Sequence, residues 1–158
     1  MAYEFEESEE TRLLRETVRD FANQEIRPVA ARLDEEEKFS YGLTEKMAAL
    51  GLLGQIPGNE YGGQEMDYLS YIISAEEIAR VDGSQAATMV AHNSLGLNPL
   101  YYYGTKEQKA RFLPSLCSGK GLWAFGLTEP EAGSDAQMSK TSAVFDKDRN
   151  EWVINGSK

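Results

Sequence analysis

The chain has 158 residues, 41% hydrophobic and 27% charged, which fits a folded globular protein of about one domain and excludes disorder. A formal charge of −10 disfavours nucleic acid, whose phosphates would be repelled, and no apolar run reaches membrane-spanning length. The single cysteine, Cys117, cannot close an internal disulfide, which suits an intracellular compartment.

The acidic start MAYEFEESEE is neither a secretory signal nor an Arg-rich transit peptide. The expected location is therefore the cytoplasm of a bacterium, or the mitochondrial matrix for an imported protein already trimmed. Residues 9–33 read as a helix capped by Ser8, with Glu9 and Glu10 at the positive end of its dipole. Leu14, Val18, Phe21, Ala22, Ile26 and Val29 fall on one face, and Pro28 should interrupt the helix near Glu25 to Arg27. Asp34 to Glu37 read as a solvated linker rather than a metal site.

A second helix is expected over Tyr41 to Leu50, with Leu43, Met47 and Leu50 inward and Gly51 as the stop. Residues 52–67 carry four glycines and a proline and read as a loop. Asp67 caps a third helix through about Val81, with Leu69, Ile72, Ile73, Glu76 and Ala79 on its packing face. Asp82-Gly83-Ser84 opens a fourth, about Gln85 to Gly96. Its Ala87, Ala91 and Leu95 form a slim stripe at i, i+4 and i+8. Such a stripe serves either close packing of two helices or the wall of an apolar ligand pocket.

His92 is the only histidine and lacks a paired acid, so packing or hydrogen bonding outranks metal or base chemistry. Asn98-Pro99 starts a short helix that ends at Gly104, and at least one of Tyr101 to Tyr103 should be buried. Thr105 and Gln108 form a capping box for the last helix, which Gly119 closes. Cys117 lies near that end and reads as a structural thiol.

The pattern then changes. Residues 122–127, 140–146 and 151–155 read as strands, with Asp146 to Asn150 as a turn. Helices followed by strands make an α+β chain. The run WAFGLTEPEAGSD, Trp123 to Asp135, is the centre of interest: an apolar strand breaks into a loop of Pro130, Gly133, Ser134 and Asp135. Small residues at such a break can turn several N–H groups towards one phosphate oxygen. There is no Ser–His–Asp set, metal-ligand spacing or P-loop, so redox chemistry would need a cofactor.

GLTEPEAGSD at 126–135 resembles the first flavin-contacting motif of the acyl-CoA dehydrogenase family. Lys140-Thr141 and Asn155-Gly156-Ser157-Lys158 resemble the strand and turn that follow it. Glu76 to Arg80, the HNSLG run at 92–96, and Thr105 to Gln108 with Leu113-Pro114 resemble the family's helical domain. The Pro57…Tyr61-Gly62-Gly63 loop is similar too, although Glu65 or Met66 stands where the last glycine is usual.

The resemblance implies an N-terminal helical bundle of about six helices over residues 1–120. The opening strands of an antiparallel, barrel-like β-domain would follow over 121–158. It implies FAD as cofactor and α,β-dehydrogenation of an acyl-CoA thioester to the enoyl-CoA. Electrons would go to an electron-transfer flavoprotein, and the parent protein would be a homo-oligomer. Phe125 and Leu127 would lie against the isoalloxazine ring, and Thr128 would hydrogen-bond its pyrimidine end. Gly133 and Ser134 would approach the pyrophosphate, Ser134 would also face the acyl-CoA, and Ala87 and Ala91 would shape the acyl pocket. The carboxylate base and the second flavin motif would lie beyond Lys158, so this chain alone should be inactive. Glu129 would be framework rather than a substitute base. Glu131 stands where glycine is frequent and Met138 where a small residue is usual, which adds a negative charge near the pyrophosphate loop. Competing implications are an acyl-CoA oxidase or nitroalkane-type oxidase of the same superfamily, and a flavin-free helical interaction module.

Overall fold

In a computed structural model, which describes residues 8–158, the chain forms two compact units. One ends at Ala124 and is helical; the other, Phe125–Lys158, holds a loop and a β-hairpin. Helix α1 spans Glu9–Phe21, and Ser8 accepts a hydrogen bond from the Thr11 N–H at 3.1 Å as its cap. A π-helical turn, Ala22–Ile26, joins it to α2, Arg27–Glu35. Pro28 explains the turn, because it has no N–H to continue an α-helical ladder and the backbone rewinds one wider loop before it. Asp34 and Glu35, expected in a linker, are the last residues of α2; the chain breaks at Glu37, whose φ is 51°.

Helix α3, Tyr41–Ala49, buries Leu43 and Met47. Leu50, expected inside, is largely exposed, since the helix ends at Ala49 and Gly51 (φ 74°) turns the chain away. The loop that follows is not a surface loop at its start: Leu52 to Gly58 are all buried. Gly63 permits this by lying against Pro57, where an added Cβ would sit 2.0 Å from the Pro57 carbonyl oxygen.

Helix α4, Tyr68–Ala79, starts on Asp67, which accepts from the Ser70 N–H at 2.7 Å. Its buried face is Tyr71, Ser74, Glu77 and Ile78 together with Ile73. The expected face was rotated: Leu69, Ile72, Glu76 and Ala79 are exposed. Glu77 turns inward with this face, where Arg15 and Arg19 of α1 and Arg80 converge on it at 2.8–3.1 Å, while the exposed Glu76 pairs with Arg15 at 2.7 Å. These cations hold the Glu77 carboxyl down to about 2, Arg19 foremost, against the opposing effect of burial.

Helix α5, Gly83–Val90, is capped by Asp82 and runs through a second π-helical stretch, Ala91–Leu97, into α6, Asn98–Tyr103. Asn98 is therefore the first residue of α6 rather than its cap. No tyrosine of 101–103 is fully buried; Tyr101 is half-buried and Tyr103 stands in solvent. Helix α7, Lys106–Cys117, carries the expected capping box, with Thr105 N–H donating to Gln108 Oε1 at 2.8 Å.

Val18, Phe21, Ala22, Ile26, Leu43, Met47, Leu53, Ile78 and Met89 belong to the main core of this unit. Leu97, Leu113, Leu116 and Cys117 form a second cluster under α7. Burying each such side chain contributes roughly 1.5–3 kcal/mol before entropy is charged.

In the second unit, β1, Ser142–Asp146, pairs antiparallel with β2, Glu151–Asn155, in the register Val144 opposite Val153. Asp146 closes the turn by accepting from the Asp148 and Arg149 N–H groups, and Asn150 takes the left-handed conformation the turn needs. The chain is thus α+β, with an antiparallel sheet. Among the described residues that sheet has two strands, and two strands cannot close a barrel.

Candidate functional site

The stretch Trp123–Asp135 does not start as a strand. Leu122 to Thr128 pair with no other strand among the described residues, and β1 begins only at Ser142 rather than 140. An apolar sequence with the right alternation forms a strand only when a partner edge accepts its hydrogen bonds. Instead the run is held at single points. In the helical unit, the Trp123 N–H donates to His92 Nδ1 at 3.1 Å. In the second unit, Lys158 Nζ donates to the Leu127 carbonyl at 2.9 Å.

Beyond Thr128 the chain folds back on itself. Glu129 and Ala132 exchange N–H···O bonds of 3.0 and 3.1 Å around Pro130 and Glu131. These two N–H groups are spent on that bridge, which leaves those of Gly133 and Ser134 outside it. Asp135 accepts from the Gln137 N–H at 3.2 Å and starts a single 3₁₀ turn, Ala136–Met138.

Glu129 holds this unit together. Its carboxylate accepts from the Lys140 N–H at 2.6 Å and the Thr141 N–H at 3.0 Å, and pairs with Lys158 Nζ at 2.9 Å. Hydrogen bonding at Thr141 and Lys140, with Lys158 beside it, lowers its pKa to about 2. Both carboxylate oxygens are occupied by donors, so Glu129 ties the start of the loop to the start of β1.

Phe125, Leu127, Thr128, Gly133 and Ser134 are all exposed, and all lie in one unit within ten residues of one another. Gly133 is instructive. A Cβ there would meet no atom within 4 Å, and its φ is not left-handed. Nothing in the chain's own packing requires glycine at this position. Glu131 is also exposed and points a charge at no described partner that would bury it.

In the helical unit, Ala87 and Leu95 are exposed and Ala91 is half-buried, so the stripe is not pressed between two helix backbones. The buried face of this segment is Gln85, Ala86, Met89, His92, Asn93, Gly96 and Leu97. A groove of about 870 Å³ opens between α3 and the 118–122 turn, lined by Phe39, Tyr41, Thr44, Ala48, Lys120 and Leu122 among others. It contains neither Ala87 nor Ala91.

Cys117 is buried and free, and burial raises its pKa to about 11, the behaviour of an inert structural thiol. Among the described residues no three His, Cys, Asp or Glu side chains gather to hold a metal, and no helix is long and apolar enough to cross a membrane. Two buried polar residues are missed by a reading of the sequence. Glu77 leaves a signal, since it shares the helical phase of Tyr71, Ser74 and Ile78. Asn93 bridges the Gln55 N–H and the Leu52 and Met89 carbonyls at 3.2, 2.8 and 3.0 Å. Only the tertiary position of the 52–58 loop makes that role visible.

A helical unit followed by an exposed small-residue loop and an antiparallel hairpin defines a segmented α+β protein. Packing within the loop does not require glycine at position 133, as it does not at Gly42, Gly83 or Gly121. Residues 8–120 match the family model of the acyl-CoA dehydrogenase N-terminal domain. The chain belongs to the acyl-CoA dehydrogenase family. It is 46% identical over 154 residues to "Probable acyl-CoA dehydrogenase YngJ" of Bacillus subtilis, covering 98% of this chain and 40% of that protein. It is 42% identical over 155 residues to the short-chain specific acyl-CoA dehydrogenase of Clostridium acetobutylicum, with coverage of 98% and 40%. A crystal structure of an acyl-CoA dehydrogenase complexed with FAD from Bacillus anthracis superposes with a TM-score of 0.90 at 37% identity, covering 96% of this chain and 26% of that one. The chain spans about two fifths of the length of the curated relatives it matches.

Proposed function

We propose that the protein carrying this chain is an FAD-dependent acyl-CoA dehydrogenase, with residues 1–120 as its helical N-terminal domain and 121–158 as the start of its β-domain. The observation that carries this reading is the family match over residues 8–120 and the 46% identity that continues through the exposed run Phe125 to Ser134. When bound, FAD would supply the acceptor for the β-hydride of an acyl-CoA thioester as the α-proton leaves to a carboxylate.

Each residue has a role its chemistry suits. Thr128 has a hydroxyl that donates or accepts, and would hydrogen-bond the pyrimidine end of the flavin, where negative charge develops. Phe125 and Leu127 supply apolar surface against the ring. Gly133 lets backbone approach the pyrophosphate, and the Ser134 hydroxyl reaches it or the thioester side. Ala87 and Ala91 leave room for an acyl chain beside α5. Relatives with a stated chain length support a short-chain acyl-CoA as the first substrate to test. An electron-transfer flavoprotein as electron acceptor, and assembly into a homo-oligomer, complete the reading.

Glu77 and Glu129, the buried carboxylates among the described residues, are both held at about 2 and make poor proton acceptors. The family resemblance, not these two residues, implies a base beyond Lys158, and on that reading the 158-residue chain alone is expected to turn over no acyl-CoA. Glu129→Gln in the FAD-loaded protein tests the framework role. It should weaken FAD binding by loosening the loop, while α-proton exchange of the bound thioester with solvent deuterium persists. Loss of that exchange with flavin still fully bound would make Glu129 the base. Oxygen consumption without any added acceptor would instead mark an oxidase.

A further inference from the structure

His92 has no part in the chemistry described above, yet it is almost wholly buried. Its Nε2 lies 3.1 Å from the Leu53 carbonyl oxygen and 3.2 Å from that of Leu116. Carbonyls only accept, so Nε2 must carry the proton and share it between them. Its Nδ1 receives the Trp123 N–H at 3.1 Å, so Nδ1 must present its lone pair. One neutral tautomer satisfies all three partners, and burial favours the neutral ring by pushing the imidazolium pKa down. The ring thereby joins the buried 52–58 loop, the end of α7 and the chain just before the candidate flavin run.

His92 and Gly96, four residues apart on the π-helical stretch Ala91–Leu97, lie on the same side and both meet Trp123. Gly96 is packed so closely that an added Cβ would lie 2.7 Å from the Trp123 Cβ and 2.8 Å from its carbonyl oxygen. On its outer side the Trp123 ring meets Phe112 with centroids 5.6 Å apart. Trp123 is thus fixed by a hydrogen bond, a close backbone contact and a ring contact, two residues before Phe125.

We propose that His92 is a positioning residue for Trp123: its Nδ1 lone pair, with the gap at Gly96, fixes the chain two residues before the cofactor segment Phe125 to Ser134. The consequence for flavin binding rests on the FAD reading above; the hold on Trp123 does not.

Two substitutions separate the ring's two functions. His92→Asn places an amide oxygen where Nδ1 stands, keeping the acceptor for Trp123 and losing the donor to Leu53 and Leu116. His92→Gln places a donor near Nε2 and loses the acceptor. In the full protein, amide hydrogen exchange at Trp123 and FAD affinity are measured for both. His92→Gln should speed Trp123 exchange and weaken FAD binding by about tenfold each, the size of one hydrogen bond, whereas His92→Asn stays within about threefold in both. Gly96→Ala, which leaves the imidazole intact, should reproduce the His92→Gln result by displacing Trp123. Equal losses in Asn and Gln variants, or unchanged exchange in the Gln and Gly96→Ala variants, would overturn the proposal. If the wild type binds no FAD but exchange follows this order, the hold on Trp123 stands and the flavin reading alone fails.

Discussion

Replacing Glu77 with alanine is expected to cost about 3–5 kcal/mol of folding stability, the range for removing one partner of a buried ion pair. The Glu77 side chain is only 2% exposed and receives Arg15, Arg19 and Arg80 together. Deleting it leaves three guanidinium groups facing one another across a hole between α1 and α4. Because the Arg19 and Arg80 side chains are themselves about half exposed, water relieves part of this cost, and the lower end of the range is expected. Against a total stability of about 5–15 kcal/mol for a typical protein, that loss is enough to unfold a marginal one. Glu77→Gln, which keeps the shape and removes the charge, should fall between. The pH dependence has a definite sign. The folded carboxyl titrates near 2 and the unfolded one near 4.5, so the contribution is complete above pH 4.5 and is lost as pH falls from there through 2. Urea denaturation of wild type and both variants at neutral pH and near pH 3 measures this. An unchanged midpoint for Glu77→Ala would contradict it.

The second large effect concerns function without stability. Gly133→Val should leave the urea midpoint unchanged, because no atom of the chain lies within 4 Å of the new Cβ and no left-handed φ is strained. The same substitution should lower FAD affinity by about a hundredfold, roughly 2.8 kcal/mol, by putting a branched side chain where the pyrophosphate must approach. Isothermal titration with FAD and denaturation on the same preparation provide both numbers. A variant that binds FAD as the wild type does would move Gly133 out of the site; one that unfolds would make the glycine structural. Either result removes the main physical support for the flavin segment.

The contrast between these residues shows what a sequence displays. Ser8, Asp67, Asp82, Thr105 and Gln108 were legible because caps are local chemistry, decided within four residues. Pro28 was legible for the same reason. The face of α4 was not: its apolar residues admit two phases, and the observed one meets partners some sixty positions away, Arg15 and Arg19 among them. The 122–127 run read as a strand because its side chains suit one, but pairing is a property of the neighbour and no sequence window contains it. The π-turns at 22–26 and 91–97 are each followed by a proline, Pro28 and Pro99, which is the local trace that they leave in the sequence.

The candidate site divides in the same way. Its residue types and order in TEPEAGSD carry the family resemblance; the family-model match shows the family from residues 8–120 and ends before this run. A framework role for Glu129 and a hydrogen-bonding one for His92 were expected, but their partners, 11 to 39 residues distant, are revealed only by the geometry. Ala87 and Ala91 had two readings in sequence; their exposure removes the packing alternative for Ala87 and leaves the pocket wall to be tested.

The central claim is that Phe125 to Ser134 form part of a flavin site in an acyl-CoA dehydrogenase. The most direct test is the visible absorption spectrum of the full protein after incubation with FAD and removal of the excess, followed by anaerobic addition of a short-chain acyl-CoA. The account predicts a retained flavin band that bleaches on addition of the thioester and is lost in the Gly133→Val protein. A wild-type protein that retains no flavin, or whose bound flavin no acyl-CoA reduces, would contradict it.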